Sequence, residues 1–126
     1  MNKYIAEFIG TFFLVLTIGC TGIGAGAGVI APLAIGAALM VMVFAGGHIS
    51  GGHYNPAVTL GVLIRGRVSV TDVIPYMLAQ LAGAALAAFI VTKFLRAGVA
   101  VTPITSHVSP ALLAEFFSHL RLSMWC

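Results

Sequence analysis

The sequence predicts an all-α membrane protein with three spanning helices, one short re-entrant half-helix and the start of a fourth span. The composition indicates a membrane environment, because 60% of the residues are hydrophobic, only 7% are charged and the mean hydropathy is +1.11. A span needs about 20 apolar residues, so the 126 residues leave room for about three or four spans and little else.

The first two predicted spans precede a glycine-rich region. The first covers about residues 4–20 and the second about residues 29–45. Pro32 is tolerated near the start of the second, because the first N–H groups of a helix have no intrahelical partner. Glu7 lies inside the first span, where a carboxylate is costly and indicates a buried partner. The alternative is that Glu7 reaches the membrane surface, since it is close to the N-terminus.

A glycine-rich segment and a half-length apolar stretch follow the second span. The segment Gly46 to Tyr54 is predicted to be irregular. Residues 55–64 reach about 15 Å as a helix, half the hydrocarbon thickness, so they are predicted to re-enter the membrane without crossing it. Asn55 is a suitable N-cap and Pro56 suits the first helical position. The alternative is a generic helix start after a surface loop.

Irregular backbone at membrane depth is tolerated only where it is buried in protein or lines a wet cavity. The sequence therefore predicts such a cavity, with the carbonyl groups of Gly51, Gly52, His53 and Tyr54 as acceptors. The N-terminus of the half-helix would add donors and a positive potential. Water can use both, whereas a cation meets an unfavourable potential.

The third predicted span covers about residues 73–92, and its small residues allow close helix approach. A polar linker at 97–109 leads to 110–126, which begins like a fourth span. There Ala114 to Phe116 repeats the triplet Ala6 to Phe8, which suggests a second copy of a membrane repeat. The charged tail after this triplet predicts a truncation or frameshift of that second copy.

Several other function classes lack support in the sequence. The scattered basic residues argue against nucleic-acid binding. His48 and His53 have no third ligand at metal-binding spacing, and no cofactor is expected. Ser50, Thr59 and His53 have no carboxylate near them in sequence, which argues against an enzyme. A proton-translocating ring subunit would need a carboxylate in the second span, and residues 29–45 contain none.

Two segments resemble the aquaporin and glycerol-facilitator family, also called the major intrinsic protein family. The segment from Gly47 to Thr59, GHISGGHYNPAVT, is similar to its first re-entrant loop, and the segment from Ala6 to Phe12, AEFIGTF, to its first helix. The resemblance covers Met1 to about Phe116. It implies an inverted repeat in which two Asn-Pro-Ala tips meet at the membrane midplane, with residues 1–96 as the first repeat.

This resemblance implies a channel for water and small neutral solutes such as glycerol, with this chain supplying half of the pore. Asn55 would orient water in single file and help to block protons. Ile35 matches the second-helix position of the selectivity ring, where an aliphatic residue argues against strict water selectivity; ordinary helix or lipid packing is the alternative. The implied pore-lining residues are Asn55, Pro56, Ala57, Gly51, Gly52, His53, Tyr54 and Ile35.

Two carboxylates are implied to brace the pore loops, each supporting the loop of the opposite repeat. Glu115 would then hold the loop around His53, whereas Glu7 would brace a loop that this chain does not contain.

The family also suggests a multi-pass protein of the plasma membrane, surrounded by lipid, with a cytoplasmic N-terminus, an extracellular linker at 97–109 and tetrameric assembly. Lys3, Arg65 and Arg67 would face the cytoplasm and Lys93 and Arg96 the outside, a weak positive-inside bias.

One copy supplies only half a pore, so a chain without a partner is expected to conduct poorly or not at all. The expected partner is a second copy or another half-channel chain. The alternative is a truncated, non-transporting membrane fragment.

Overall fold

The computed structural model of the protein describes residues 2–22, 27–95 and Gly98. Its helices are α1 (Asn2–Gly22), α2 (Ala31–Ser50, preceded by a 3-10 turn at Gly28–Ile30), α3 (Pro56–Ile64) and α4 (Val70–Ile90, continued by a π-helical turn at Val91–Leu95). Within the described residues, three helical segments are long and apolar enough to cross a membrane: Asn2–Gly22, Gly28–Ser50 and Val70–Leu95. The predicted all-α class is thus confirmed. The linker at 97–109 apart from Gly98, the segment 110–126 and Glu115 lie outside the described residues.

The second helix extends further than the sequence predicted. It continues through Gly46 to Ser50, where an irregular segment was expected. Gly46 is needed inside this helix because a Cβ there would lie 2.5 Å from the Tyr54 hydroxyl oxygen. The helix ends at Gly51, whose φ of 91° is left-handed and whose N–H donates to the Gly47 carbonyl at 2.8 Å. Gly46 therefore permits close packing inside the helix, and Gly51 ends the helix.

The first helix is central in the bundle, with α2 and α4 both packed against it. Its contact with α4 is close at Gly83, where a Cβ would lie 2.4 Å from the Phe8 carbonyl oxygen. Small residues permit such contact between membrane helices, where hydrophobicity supplies no driving force for association. The short helix α3 packs against α4.

Polar side chains join the first turns of α1 and α4. The Lys3 ammonium lies 2.8 Å from a carboxylate oxygen of Asp72, and the Tyr4 hydroxyl donates to the other oxygen at 2.8 Å. The fourth helix begins at Val70, three residues before the predicted start, so Asp72 lies in its first turn. These contacts place the starts of α1 and α4 at the same end of the bundle.

Candidate functional site

Residues 51–55 connect α2 to α3 and are called the polar loop below. Gly51 and Gly52 have positive φ angles of 91° and 67°, which glycine adopts without steric cost. Tyr54 also has a positive φ, 49°, which is uncommon for a residue with a side chain. Such a backbone persists only where its surroundings hold it, and the side chain that does so comes from α1.

The Glu7 carboxylate lies under the polar loop and is fully buried, with 0% relative exposure. It accepts hydrogen bonds from four donors, two on each oxygen. The donors are the Ser50 hydroxyl (2.6 Å) and His53 N–H (3.0 Å) to Oε1, and the Tyr54 N–H (2.6 Å) and Gln80 side-chain amide (2.8 Å) to Oε2. A buried carboxylate is tolerated when its lone pairs are satisfied in this way.

The expectation for the partner of Glu7 was wrong. Glu7 braces the polar loop of its own repeat, through the N–H groups of His53 and Tyr54, rather than a loop outside this chain. The physical reason is proximity: α1 packs directly against α2, so a side chain on α1 reaches the loop that follows α2.

Two further polar side chains complete the network. Gln80 and Thr59 both have 0% exposure, and the Gln80 amide donates to the Thr59 hydroxyl oxygen at 2.9 Å. The Thr59 hydroxyl donates to the Asn55 carbonyl at 3.2 Å, and it lies 3.2 Å from His53 Nδ1. Thus α4 holds both the loop and the first turn of α3. The sequence analysis missed this role, although a polar residue inside an apolar helix was the available signal.

The side chains of His53 and Tyr54 are buried within the protein rather than exposed to a channel. Tyr54 is 2% exposed, its ring lies against Gly10, and its hydroxyl donates to the Met42 carbonyl at 2.8 Å. His53 is 7% exposed, and its ring centroid lies 5.2 Å from that of Tyr76. A pore-lining role for these two residues would therefore fall to their backbone, and it stays a prediction.

Asn55 begins the short helix with the predicted N-cap geometry. Its backbone is extended (φ −154°, ψ 130°) and its side-chain oxygen accepts from the Ala57 N–H at 2.8 Å. Because that oxygen holds the cap, the Asn55 side-chain NH₂ points its donors elsewhere. Asn55 and Pro56 are half-buried and Ala57 is exposed. These three residues, called the tip below, head a helix of nine residues that spans about 14 Å.

A cavity of about 390 Å³ lies beside the polar loop, at the bundle end where α4 begins. It is lined by Ser50, Gly51, His53, Val62, Arg67, Val68, Ser69, Asp72 and Tyr76. Of the predicted lining residues, Gly51 and His53 reach it. Ile35 is half-buried on α2, about 22 Å along the helix from Ser50, so it lies at a different depth. Among the described residues, no three potential metal ligands cluster.

The sequence of this chain matches one family model and is similar to several curated proteins. The family model described as "Major intrinsic protein" matches residues 1–124. Glycerol uptake facilitator protein-like 6 of Lactiplantibacillus plantarum is 47% identical over 98 residues, which is 77% of this chain and 45% of that protein. Aquaporin Z of Rhodopseudomonas palustris is 46% identical over 95 residues, covering 69% of this chain and 39% of the relative. The chain thus spans less than half the length of these curated relatives.

Proposed function

This chain belongs to the major intrinsic protein family, and we propose that it supplies one half of the lining of a membrane channel for water and small neutral solutes such as glycerol. The family is one of channels rather than enzymes. Two relatives are named for glycerol uptake and as an aquaporin, which supports this class of substrate.

The observation that carries the proposal is a half-length helix whose polar start is held by side chains of the spanning helices α1 and α4. The helix α3 has nine residues, too few to cross the hydrocarbon layer. Four donors converge on the buried Glu7 carboxylate, and this network fixes the loop before the helix. A bilayer offers no hydrogen-bond partner to such a loop, so a polar path beside it is the environment that suits it.

The tip favours dipolar, neutral solutes over cations. The start of a helix carries a partial positive charge of about half an elementary charge, which repels cations. The Asn55 side-chain NH₂ supplies donors to a passing oxygen atom, because its own oxygen accepts from Ala57. The loop is held through the N–H groups of Gly52, His53 and Tyr54, so these hydrogen bonds do not consume the carbonyl oxygens that water would use.

The proposal also covers the solute selectivity of the channel and the location and assembly of the chain. Ile35 lies on α2 away from the polar loop. This position suits a second constriction along the proposed channel. An aliphatic side chain there leaves room for solutes larger than water. The chain is proposed to lie in the plasma membrane with its N-terminus in the cytoplasm, and to assemble as the family does, in tetramers of complete channels.

Osmotic shrinkage of proteoliposomes, followed by stopped-flow light scattering, tests the proposal. This chain is reconstituted together with the second half of the L. plantarum relative. The 47% identity between the two proteins belongs to the region of the relative that this chain matches. We expect shrinkage faster than with either half alone, and loss of the increase with Asn55→Asp, which places a negative charge at the tip. The positive control is the same second half with the relative's own first half.

If the control pair conducts and the mixed pair shrinks no faster than empty vesicles, the proposed function is wrong. The chain would then be a membrane fragment without transport activity.

A further inference from the structure

Two buried polar atoms, one on α1 and one on α4, have no hydrogen-bond partner among the described residues. They are the hydroxyl oxygen of Thr11 and the side-chain carbonyl oxygen of Gln80. Thr11 is 4% exposed and Gln80 is 0% exposed, so bulk solvent does not satisfy them. Most buried polar side-chain atoms in folded proteins are paired with a protein group or with an ordered water molecule. These two atoms therefore indicate a partner that the described side chains do not supply.

The orientation of the Gln80 amide is fixed by its other contacts. Its nitrogen donates to Glu7 Oε2 at 2.8 Å and to Thr59 Oγ1 at 2.9 Å, which uses both of its N–H groups. Turning the amide over would place its oxygen against the Glu7 carboxylate, which only accepts hydrogen bonds. The carbonyl oxygen of Gln80 must therefore take its donor from elsewhere.

The Thr11 hydroxyl does not use the acceptor nearest to it on its own helix. A threonine in a helix can donate to the carbonyl group four residues earlier, as Thr17, Thr21 and Thr92 do at 2.7–2.8 Å. Thr11 makes no such hydrogen bond to the carbonyl group of Glu7. Its hydroxyl is therefore a buried donor that is available to another partner.

Contacts between α1 and α4 place Thr11 near the Gln80 amide. On α1, Tyr4, Glu7 and Thr11 are three and four residues apart, so they lie on one face of the helix. The first two contact α4: the ring of Tyr4 packs against that of Tyr76, and the Glu7 carboxylate accepts from Gln80. Thr11 thus faces α4 about one helical turn, or about 5–6 Å, beyond the carboxylate that holds the amide.

We propose that a buried water molecule binds between Thr11 and Gln80 and joins α1 to α4. The water accepts from the Thr11 hydroxyl and donates to the Gln80 carbonyl oxygen. Two hydrogen bonds of about 2.8 Å through one water molecule reach about 5 Å, which suits a gap of one helical turn. Buried waters typically make about three hydrogen bonds. The third partner is the Phe8 carbonyl oxygen, which has a second lone pair and lies against α4 at Gly83.

This water site is separate from the proposed channel. The cavity beside the polar loop is lined by neither Thr11 nor Gln80. The bound water completes the polar network between the two helices and is not a molecule in transit. The inference therefore does not depend on whether the chain conducts.

Water-edited solid-state NMR of the full chain in lipid bilayers tests the site. Gln80 is the only glutamine in the sequence, so glutamine labelled with carbon-13 at the side-chain carbonyl gives a single signal. Magnetisation from water should reach this carbon quickly, because the bound water lies within hydrogen-bond distance of its oxygen. Slow transfer in the unchanged chain would show that the oxygen is dry or bonded to a protein group, and it would overturn the inference.

Two variants separate a bound water from a direct hydrogen bond between the side chains. Thr11→Ala removes the hydroxyl but leaves room for water, so transfer to the Gln80 carbon should stay fast. Thr11→Ile fills the space with an apolar side chain, so transfer should fall several-fold. Slow transfer with Thr11→Ala would identify Thr11 itself as the donor, and fast transfer with Thr11→Ile would place the water elsewhere. Either result overturns the inference.

The matched control is Thr17→Ile, the same substitution six residues further along α1. The Thr17 hydroxyl donates to the Phe13 carbonyl at 2.8 Å, so this variant should leave the transfer to Gln80 unchanged. If Thr11→Ile does not fold, Thr11→Met takes its place, because the flexible methionine side chain fills irregular space. The same several-fold loss of transfer is then expected, and retained transfer would overturn the inference.

Discussion

The backbone N–H of Tyr54 donates to the Glu7 carboxylate at 2.6 Å, although 47 residues separate them in sequence. This hydrogen bond joins the one non-glycine residue of the polar loop with a positive φ to a fully buried carboxylate on α1. The loop conformation is therefore a property of the bundle rather than of the loop residues alone. The predictions below follow from this dependence.

Glu7→Gln should destabilise the protein, because its amide NH₂ would face donors in place of an acceptor oxygen. A buried donor left unsatisfied costs about 1–3 kcal/mol, and at least one of the four donors loses its partner. Unfolding by SDS in mixed micelles measures the change. Asp72→Asn is the matched control; its ion pair with Lys3 is partly exposed, so this variant should lose much less stability than Glu7→Gln. Equal losses for both variants would contradict the bracing role of Glu7.

Gly10→Ala should displace the Tyr54 ring, because the added Cβ would lie 2.1 Å from a ring carbon. Overpacking of this kind costs about 1–3 kcal/mol. Gly22→Ala on the same helix is the control, since a Cβ there has nothing within 4 Å. In a Tyr54→Ala background the Gly10→Ala cost should shrink, as expected for two residues in contact. Additive losses in the double variant would refute the contact.

Gly83→Ala should separate α1 from α4, because the new Cβ would lie 2.4 Å from the Phe8 carbonyl oxygen. Backbone cannot rotate away as a side chain can, so we expect a loss of about 1–3 kcal/mol and lower yield in detergent. Gly36→Ala, with nothing within 4 Å, should be neutral or slightly stabilising. The idea fails if thermal unfolding in micelles gives the two alanine variants the same midpoint.

Asn55→Ala should remove the cap of α3 and cost about 0.5–2 kcal/mol, whereas Asn55→Ser should retain most of it, because serine is nearly as good an N-cap. Hydrogen exchange at the Ala57 amide is the most direct measurement, since that N–H donates to the Asn55 side chain. Faster exchange in the alanine variant and near-normal exchange in the serine variant are expected. Unchanged exchange in both would mean that the cap contributes little.

Features set by neighbouring residues were predictable from the sequence. The capped half-helix follows from Asn55-Pro56 at the head of a short, mostly apolar stretch that ends at Ile64, because capping and helix length depend on adjacent residues. The spans follow from hydropathy. Contacts between residues far apart in the sequence were harder to predict. The length of α2 was underestimated because Gly46 and Gly47 were read as helix breakers, and the packing role of Gly46 appears only when Tyr54 is placed beside it. The roles of Gln80 and Thr59 depend in the same way on α4 meeting α3.

The four-donor network around Glu7 also sets an order of events during synthesis. Glu7 enters the membrane with α1, but Gln80 is made 73 residues later. At about 5–20 residues per second, the ribosome needs about 4–15 seconds to cover that distance. Throughout that interval the carboxylate lacks one of its four donors, so the network around Glu7 is complete only after α4 has been made.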